Sequence, residues 1–137
     1  MLYTIDIPGR PQAKGRPRFA TSGHAYTPER TKNAEDIMRG YMRAAYRVPL
    51  KGPLELSVIF YFRRPDSWSK ARRDAVDEGE EPWYIGKPDL DNLAKLVKDA
   101  ANGVLWHDDA QVVSMEVGKC YGRDGLTSIR VRQAEEE

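Results

Sequence analysis

The clearest pattern along the chain is the alternation at residues 53–63, where Leu54, Leu56, Val58, Phe60 and Phe62 share one parity. Five apolar side chains on one face predict a strand that sits centrally in a sheet. A shorter alternation over residues 2–7, stopped by Pro8-Gly9, predicts a first strand. Two other segments carry helical spacing. Ala34, Ile37, Met38, Tyr41, Met42 and Ala45 follow Thr27-Pro28, an N-cap and a first-turn proline, so a helix is predicted from about residue 28 to 47, ending before Pro49. Leu93, Leu96, Val97, Ala100 and Ala101 form the stripe of a core-facing helix that starts near Asp91 and closes at Asn102-Gly103. Beyond Asp108-Asp109, residues 111–119 alternate with Val113, Met115 and Val117 inward, and a Gly/Asp-rich turn at 122–125 leads to a last strand through Ile129 and Val131.

The order βαβαββ, with two main helices covering a mixed sheet, predicts one small α/β (α+β) domain over residues 1–137. Two stretches lie outside the pattern. Residues 8–27 are rich in Pro, Gly, Arg and Lys and read as a long basic loop, and residues 66–86 read as a charged, mobile or weakly helical loop docked through Trp83-Tyr84-Ile85. Residues 134–137 are expected to form a disordered tail.

Composition removes several function classes. At 137 residues the chain holds one core and no second catalytic domain. It has no apolar run long enough to span a bilayer and no basic-then-apolar leader at its start, so a cytoplasmic protein with no membrane partner is expected. Cys120 stands alone and cannot form an internal disulfide, and with only His24 and His107 a structural zinc site is not expected. Net charge is +1, but it is unevenly spread: residues 1–65 hold 12 Lys and Arg against 5 Asp and Glu, and residues 66–137 hold 10 against 16. A basic half beside an acidic half suits a phosphate-binding surface joined to a cation site.

The acidic half is concentrated around the second helix. Asp89 and Asp91 are two residues apart in the extended approach after Pro88, so both can face one ion. The helix carries the chain roughly 17 Å away at 1.5 Å per residue. Residues 103–109 reach up to about 23 Å when extended, enough to return Asp109 to Asp89 and Asp91. Carboxylates grouped in this way suit a hard divalent ion, Mg²⁺ with Mn²⁺ able to substitute, and such ions with open water positions serve phosphodiester hydrolysis. Lys95, four residues after Asp91, is placed to neutralise a phosphate; read alone, it is an ordinary helical ion pair with Asp91. Asp108 neighbours the set, either as a further ligand or as part of a turn.

The whole constellation is more specific than its parts: Lys87-Pro88-Asp89-Leu90-Asp91-Asn92-Leu93-x-Lys95, then Asp99-Ala100, then Asp108-Asp109-Ala110-Gln111-Val112-Val113, preceded by Pro11-x-x-Lys14-Gly15-Arg16-Pro17-Arg18-Phe19 and Ala25-Tyr26-Thr27-Pro28. It closely resembles the RusA-type Holliday junction resolvases. The resemblance implies a Mg²⁺-dependent homodimer that binds four-way DNA junctions and makes paired symmetric nicks, in a small mixed α/β fold. It places Asp89, Asp91 and Asp109 at the family's three catalytic aspartates and Lys95 at its catalytic lysine. The long 66–86 insertion before the motif departs from the family.

Lys14, Arg16, Arg18, Arg63, Arg64, Arg72 and Arg73 are candidate phosphate contacts, with Phe19, Trp68 or Trp83 as stacking groups at the junction. Three rivals stand beside this reading. They are a non-catalytic DNA-binding module, a transferase using the Asp-x-Asp pair, and an endonuclease for flaps or other branched DNA.

Overall fold

A computed structural model describes residues 2–15, 18–23, 25–26 and 29–134, with backbone alone at 18, 19 and 26. The strands and helices in chain order are β1 (Leu2–Pro8), β2 (Arg18–Phe19), β3 (Ala25–Tyr26), α1 (Glu29–Ala45), β4 (Leu54–Arg63), α2 (Lys70–Asp77), α3 (Leu90–Ala101), β5 (Val112–Gly122) and β6 (Leu126–Gln133). A one-turn 3₁₀ helix, Asp109–Gln111, precedes β5. The four long strands form one mixed sheet in the order β1-β6-β4-β5, with β4 parallel to β5 and antiparallel to β6. The expected single α+β domain is therefore observed, with a third helix and a small β2-β3 ladder added.

β4 is central because its alternation is complete: Leu54, Leu56, Val58, Phe60 and Phe62 are all buried on the face covered by α1 and α3. Ile5 and Ile7 of β1, with Ile129 and Val131 of β6, continue that face. From α3, every residue of the expected stripe, Leu93, Leu96, Val97, Ala100 and Ala101, enters the core. α1 is turned from its expected face. Met38 and Met42 are buried with Thr31, but Ile37 is 61% exposed and Tyr41 is 42% exposed. Its expected cap at Thr27-Pro28 lies outside the described residues. α3 is tied to α1 by Arg39, whose Nε and Nη2 donate to the carbonyls of Ala100 and Asp99 at the open C-terminal end of α3.

The expectations for β5, for segment 66–86 and for the tail are refined. Of the inward set expected in β5, Val117 packs against the core, but Val113 does not, because the register slips between Leu54 and Glu55, which pair with Val112 and Ser114 and skip Val113. This bulge throws Val113 outward, to 63% exposure, and Met115 beyond it remains 47% exposed. The expected turn between β5 and the last strand is present; residues 123–125 step over the end of β4, and the two strands flank it. Segment 66–86 is anchored by α2, where Ser69 caps the helix through Arg72 N, Val76 is buried, and Arg64 makes two contacts with Asp77, at 2.8 and 3.0 Å. At the far end of the chain, Ala134 is held by a 2.9 Å bond from its N–H to the Pro53 carbonyl. The remaining tail residues lie outside the described set.

Candidate active site

The carboxyl ends of the parallel pair β4 and β5 gather most of the charged chemistry, the usual place for a ligand in a sheet with parallel strands. Asp89 is the N-cap of α3, in extended backbone and without a side-chain cap bond. Lys87 Nζ lies 2.9 Å from its Oδ1. Asp91 follows in the first helical turn, where a carboxylate is favoured by the helix dipole. Lys95 Nζ stands 4.0 Å from Asp91 Oδ2, and both side chains are well exposed. This is the i, i+4 pair read from sequence, and it leaves both groups open to solvent.

The approach to Asp89 is held from below. Lys119 of β5 extends its ammonium to the carbonyls of Gly86, at 2.6 Å, and Pro88, at 2.9 Å. Tyr84 stacks on Phe62 with ring centroids 4.0 Å apart and donates its hydroxyl to the Lys87 carbonyl. The Lys87–Pro88 peptide is cis. Tyr84 N and Tyr121 N bond to Lys119 O and Pro82 O, so the segment before the aspartates runs along the outer edge of the last residues of β5. Tyr84 is one of the residues expected to dock segment 66–86, whereas Lys119 was not singled out from sequence. Lys119 sits at an alternating position of a strand, and nothing local distinguishes it from a solvated lysine.

Asp109 lies elsewhere. Its N–H bonds to Asn102 Oδ1 at 3.1 Å, and its Oδ1 accepts from Trp106 Nε1 at 2.8 Å. Asn102 is the C-cap of α3, so Asp109 is at the opposite end of the helix from Asp89 and Asp91, a separation of more than about 10 Å over a 12-residue helix. The expectation that residues 103–109 carry Asp109 back is corrected. That segment is a compact turn, with Val104 and Leu105 N–H groups on the Ala101 carbonyl and Gly103 N–H on that of Trp106. Burial of Trp106, Leu105 and Val104 drives the compaction. Asp108 caps the 3₁₀ turn through Ala110 N, and Gln111 closes a capping box with it. Gln111 also donates to the carbonyls of Leu50 and Gly52. Among the described residues, no three His, Cys, Asp or Glu side chains come together in a way that could hold a metal ion.

The cationic candidates divide. Lys14 reaches α3: its N–H bonds to the Asn92 carbonyl and its Nζ lies 2.6 Å from Asp99. The Asp99 hydrogen bond holds the Lys14 ammonium above its usual pKa. Arg64 is 11% exposed and pairs with Asp77 and Asp66, while Arg63 pairs with Asp66 and Asp124. Arg72 lies 3.5 Å over the Trp68 ring, which also meets Tyr121 edge-on. Arg73 has its Nε buried without a hydrogen-bond partner. Arg16 and the side chains of Arg18 and Phe19 fall outside the described set. Trp83 is 75% exposed and Ile85 is 95% exposed, so only Tyr84 of the expected docking trio is inserted. Arg10, not singled out from sequence, lies over Phe62 at the same sheet end; Gly9 and Gly125 approach so closely there that a Cβ on Gly125 would lie 2.8 Å from Gly9 backbone. No helix among the described residues is long and apolar enough to cross a membrane.

The family model of endodeoxyribonuclease RusA matches residues 8–132, nearly the whole chain. The chain is also similar to the uncharacterized protein YqaN of Bacillus subtilis (strain 168), with 31% identity over 134 residues, covering 91% of this chain and 92% of the other.

Proposed function

The chain belongs to the RusA endodeoxyribonuclease family, and from that premise we propose that it cuts four-way DNA junctions by paired nicks centred on Asp89 and Asp91. One observation carries the reading: the two carboxylates stand exposed at the carboxyl end of β4 and β5, with Lys87 and Lys95 beside them and Arg10, Arg63 and Arg72 on elements that reach the same end. A basic surface of this kind holds the phosphate backbone, and phosphate contacts set position and orientation on DNA. A non-catalytic DNA-binding module would not call for carboxylates at its centre, where they oppose the phosphates. An Asp-x-Asp transferase requires a nucleotide pocket, and no Gly-rich phosphate loop precedes the pair.

The reaction is hydrolysis of a phosphodiester. Water adds to phosphorus as the bond to the 3′ oxygen breaks, leaving a 5′-phosphate and a 3′-hydroxyl. In this proposal Lys95 and Lys87 neutralise the non-bridging oxygens, and Asp89 and Asp91 orient the attacking water. Lys119 is a positioning residue that fixes the backbone from Gly86 to Pro88 and thereby the cap position of Asp89. The Mg²⁺ expected from the resemblance does not find its donor set in one chain, because Asp109 is at the wrong end of α3.

The test compares a synthetic four-way junction with a linear duplex of the same sequence, with and without Mg²⁺. Paired nicks near the branch of the junction, and an uncut linear duplex, are expected. Equal cutting of both substrates would remove the junction assignment, and binding without cutting under all conditions would favour the non-catalytic module.

A further inference from the structure

The N-terminal basic segment is pinned at its root. Pro11 is buried and Ala13 packs against the core, and the next two residues are tied to both long helices. The Lys14 N–H donates to the Asn92 carbonyl of α3 at 3.0 Å, and the Gly15 N–H donates at 2.9 Å to Oγ1 of Thr31, a buried residue of α1. The Lys14 side chain adds a third tie. Its Nζ lies 2.6 Å from Asp99 Oδ2, joining residues 85 apart in sequence, and the Glu35 carboxylate of α1 acts on the same ammonium. Asp99 stands at the end of the series Asp91, Lys95, Asp99, spaced four apart along α3. Beyond Gly15 the chain carries Arg16 and Arg18 and builds the β2-β3 ladder, which is separate from the main sheet. A phosphate could reach the Lys14 ammonium only by displacing a carboxylate already in contact with it. Such a lysine is a poor phosphate ligand and a good tether.

We propose that Lys14 and Asp99 are positioning residues for DNA binding: their ion pair holds the root of the segment carrying Arg16 and Arg18 against α3, so that this segment meets the same DNA as Asp91 and Lys95. Lys14 itself makes no phosphate contact, which changes the role expected of it from sequence. The inference rests on the functional reading above, and assigns to Asp99 a role in affinity although its charge opposes DNA. A segment released from α3 must be ordered at the moment of binding, at an entropic cost that the tether removes beforehand.

The sign of one substitution separates a tether from a phosphate contact. Asp99→Asn removes a negative charge and frees the Lys14 ammonium, so a phosphate-binding Lys14 would then bind a four-way junction more tightly. The tether predicts the reverse: affinity falls by about 5-fold in Asp99→Asn and by the same factor in Lys14→Met, and the double variant is no weaker than either single one. Cleavage by Asp99→Asn at saturating junction should stay within about 2-fold of wild type. Lys14→Met should also keep the wild-type slope of log affinity against log salt, which loss of a phosphate contact would lower by about 0.9. Tighter binding by Asp99→Asn, additive losses, or a lowered slope in Lys14→Met would overturn the proposal. Lys14 lies outside the helices, so if circular dichroism shows Asp99→Asn to be unfolded, the slope of Lys14→Met decides. Amide hydrogen exchange without DNA gives a readout that does not depend on the function. Peptides spanning residues 10–28 should exchange about 10-fold faster in Lys14→Met than in the wild type, and unchanged exchange would contradict the tether. A wild type that neither binds nor cuts a junction would remove the functional reading instead, and the tether would stand or fall on the exchange rates.

Discussion

The two ends of α3 carry the same side chain in opposite settings. At the C-terminal end, Asp109 is fixed by Trp106 and Asn102, Asp108 caps the turn, and Gln111 bonds to four backbone groups. At the N-terminal end, Asp89 and Asp91 meet lysine ammoniums near the surface and are well exposed. One end is built as fixed structure around its carboxylate, and the other is an open, charged surface. The lesson is that the aspartates of one sequence motif can be split between a rigid mount and an exposed face. Sequence spacing alone does not say on which side of a helix each part falls.

Substitutions should separate the ends by what they cost. Trp106→Ala removes a fully buried ring and the donor to Asp109, and should lower unfolding free energy by about 3–5 kcal/mol in urea titration. Gln111→Ala strands carbonyls of Leu50 and Gly52 and two N–H groups, and should cost about 1–3 kcal/mol by the same measure. At the working face, Lys119→Met should leave junction affinity close to wild type while cleavage falls by about 10-fold, because the approach to Asp89 loses its two carbonyl anchors. If affinity and cleavage fell together, Lys119 would belong to the DNA surface instead.

The smallest effect concerns α2, which flanks that face. The hydrogen bond from Arg64 holds the Asp77 carboxyl below its ordinary value of 3.8. A lowered folded-state value means that the stabilisation is fully present above the unfolded value and is lost as pH falls through the folded one. Asp77→Asn should therefore loosen α2 at neutral pH and flatten the acid limb of its hydrogen-exchange protection. An acid limb unchanged by the substitution would show that the pair does not anchor the helix.

Much of this arrangement was readable in the chain, for identifiable reasons. The β4 alternation and the α3 stripe are complete, so burial follows the pattern residue by residue. In β5 the alternation was misleading because one bulge residue, Val113, reverses parity and no local signal marks it. Segment 66–86 was expected to be mobile or weakly helical, but α2 is short and polar and its bounds were not legible; Ser69 as its cap and Val76 as its buried contact were the available signs. The placement of Asp109 failed for a different reason. An upper bound on chain reach says where a residue can go, whereas burial of Val104, Leu105 and Trp106 decides where it does go. Lys119 illustrates a further limit, since its partners are backbone carbonyls more than thirty residues away.

The central claim is that hydrolysis takes place at the exposed N-terminal end of α3. Single-turnover cleavage of a four-way junction by Asp91→Asn, measured beside its junction affinity and its urea midpoint, tests this most directly. Cleavage should fall by about 100-fold or more, with affinity kept or tightened and stability within about 0.5 kcal/mol of wild type. Cleavage near the wild-type rate by a folded Asp91→Asn protein would contradict it.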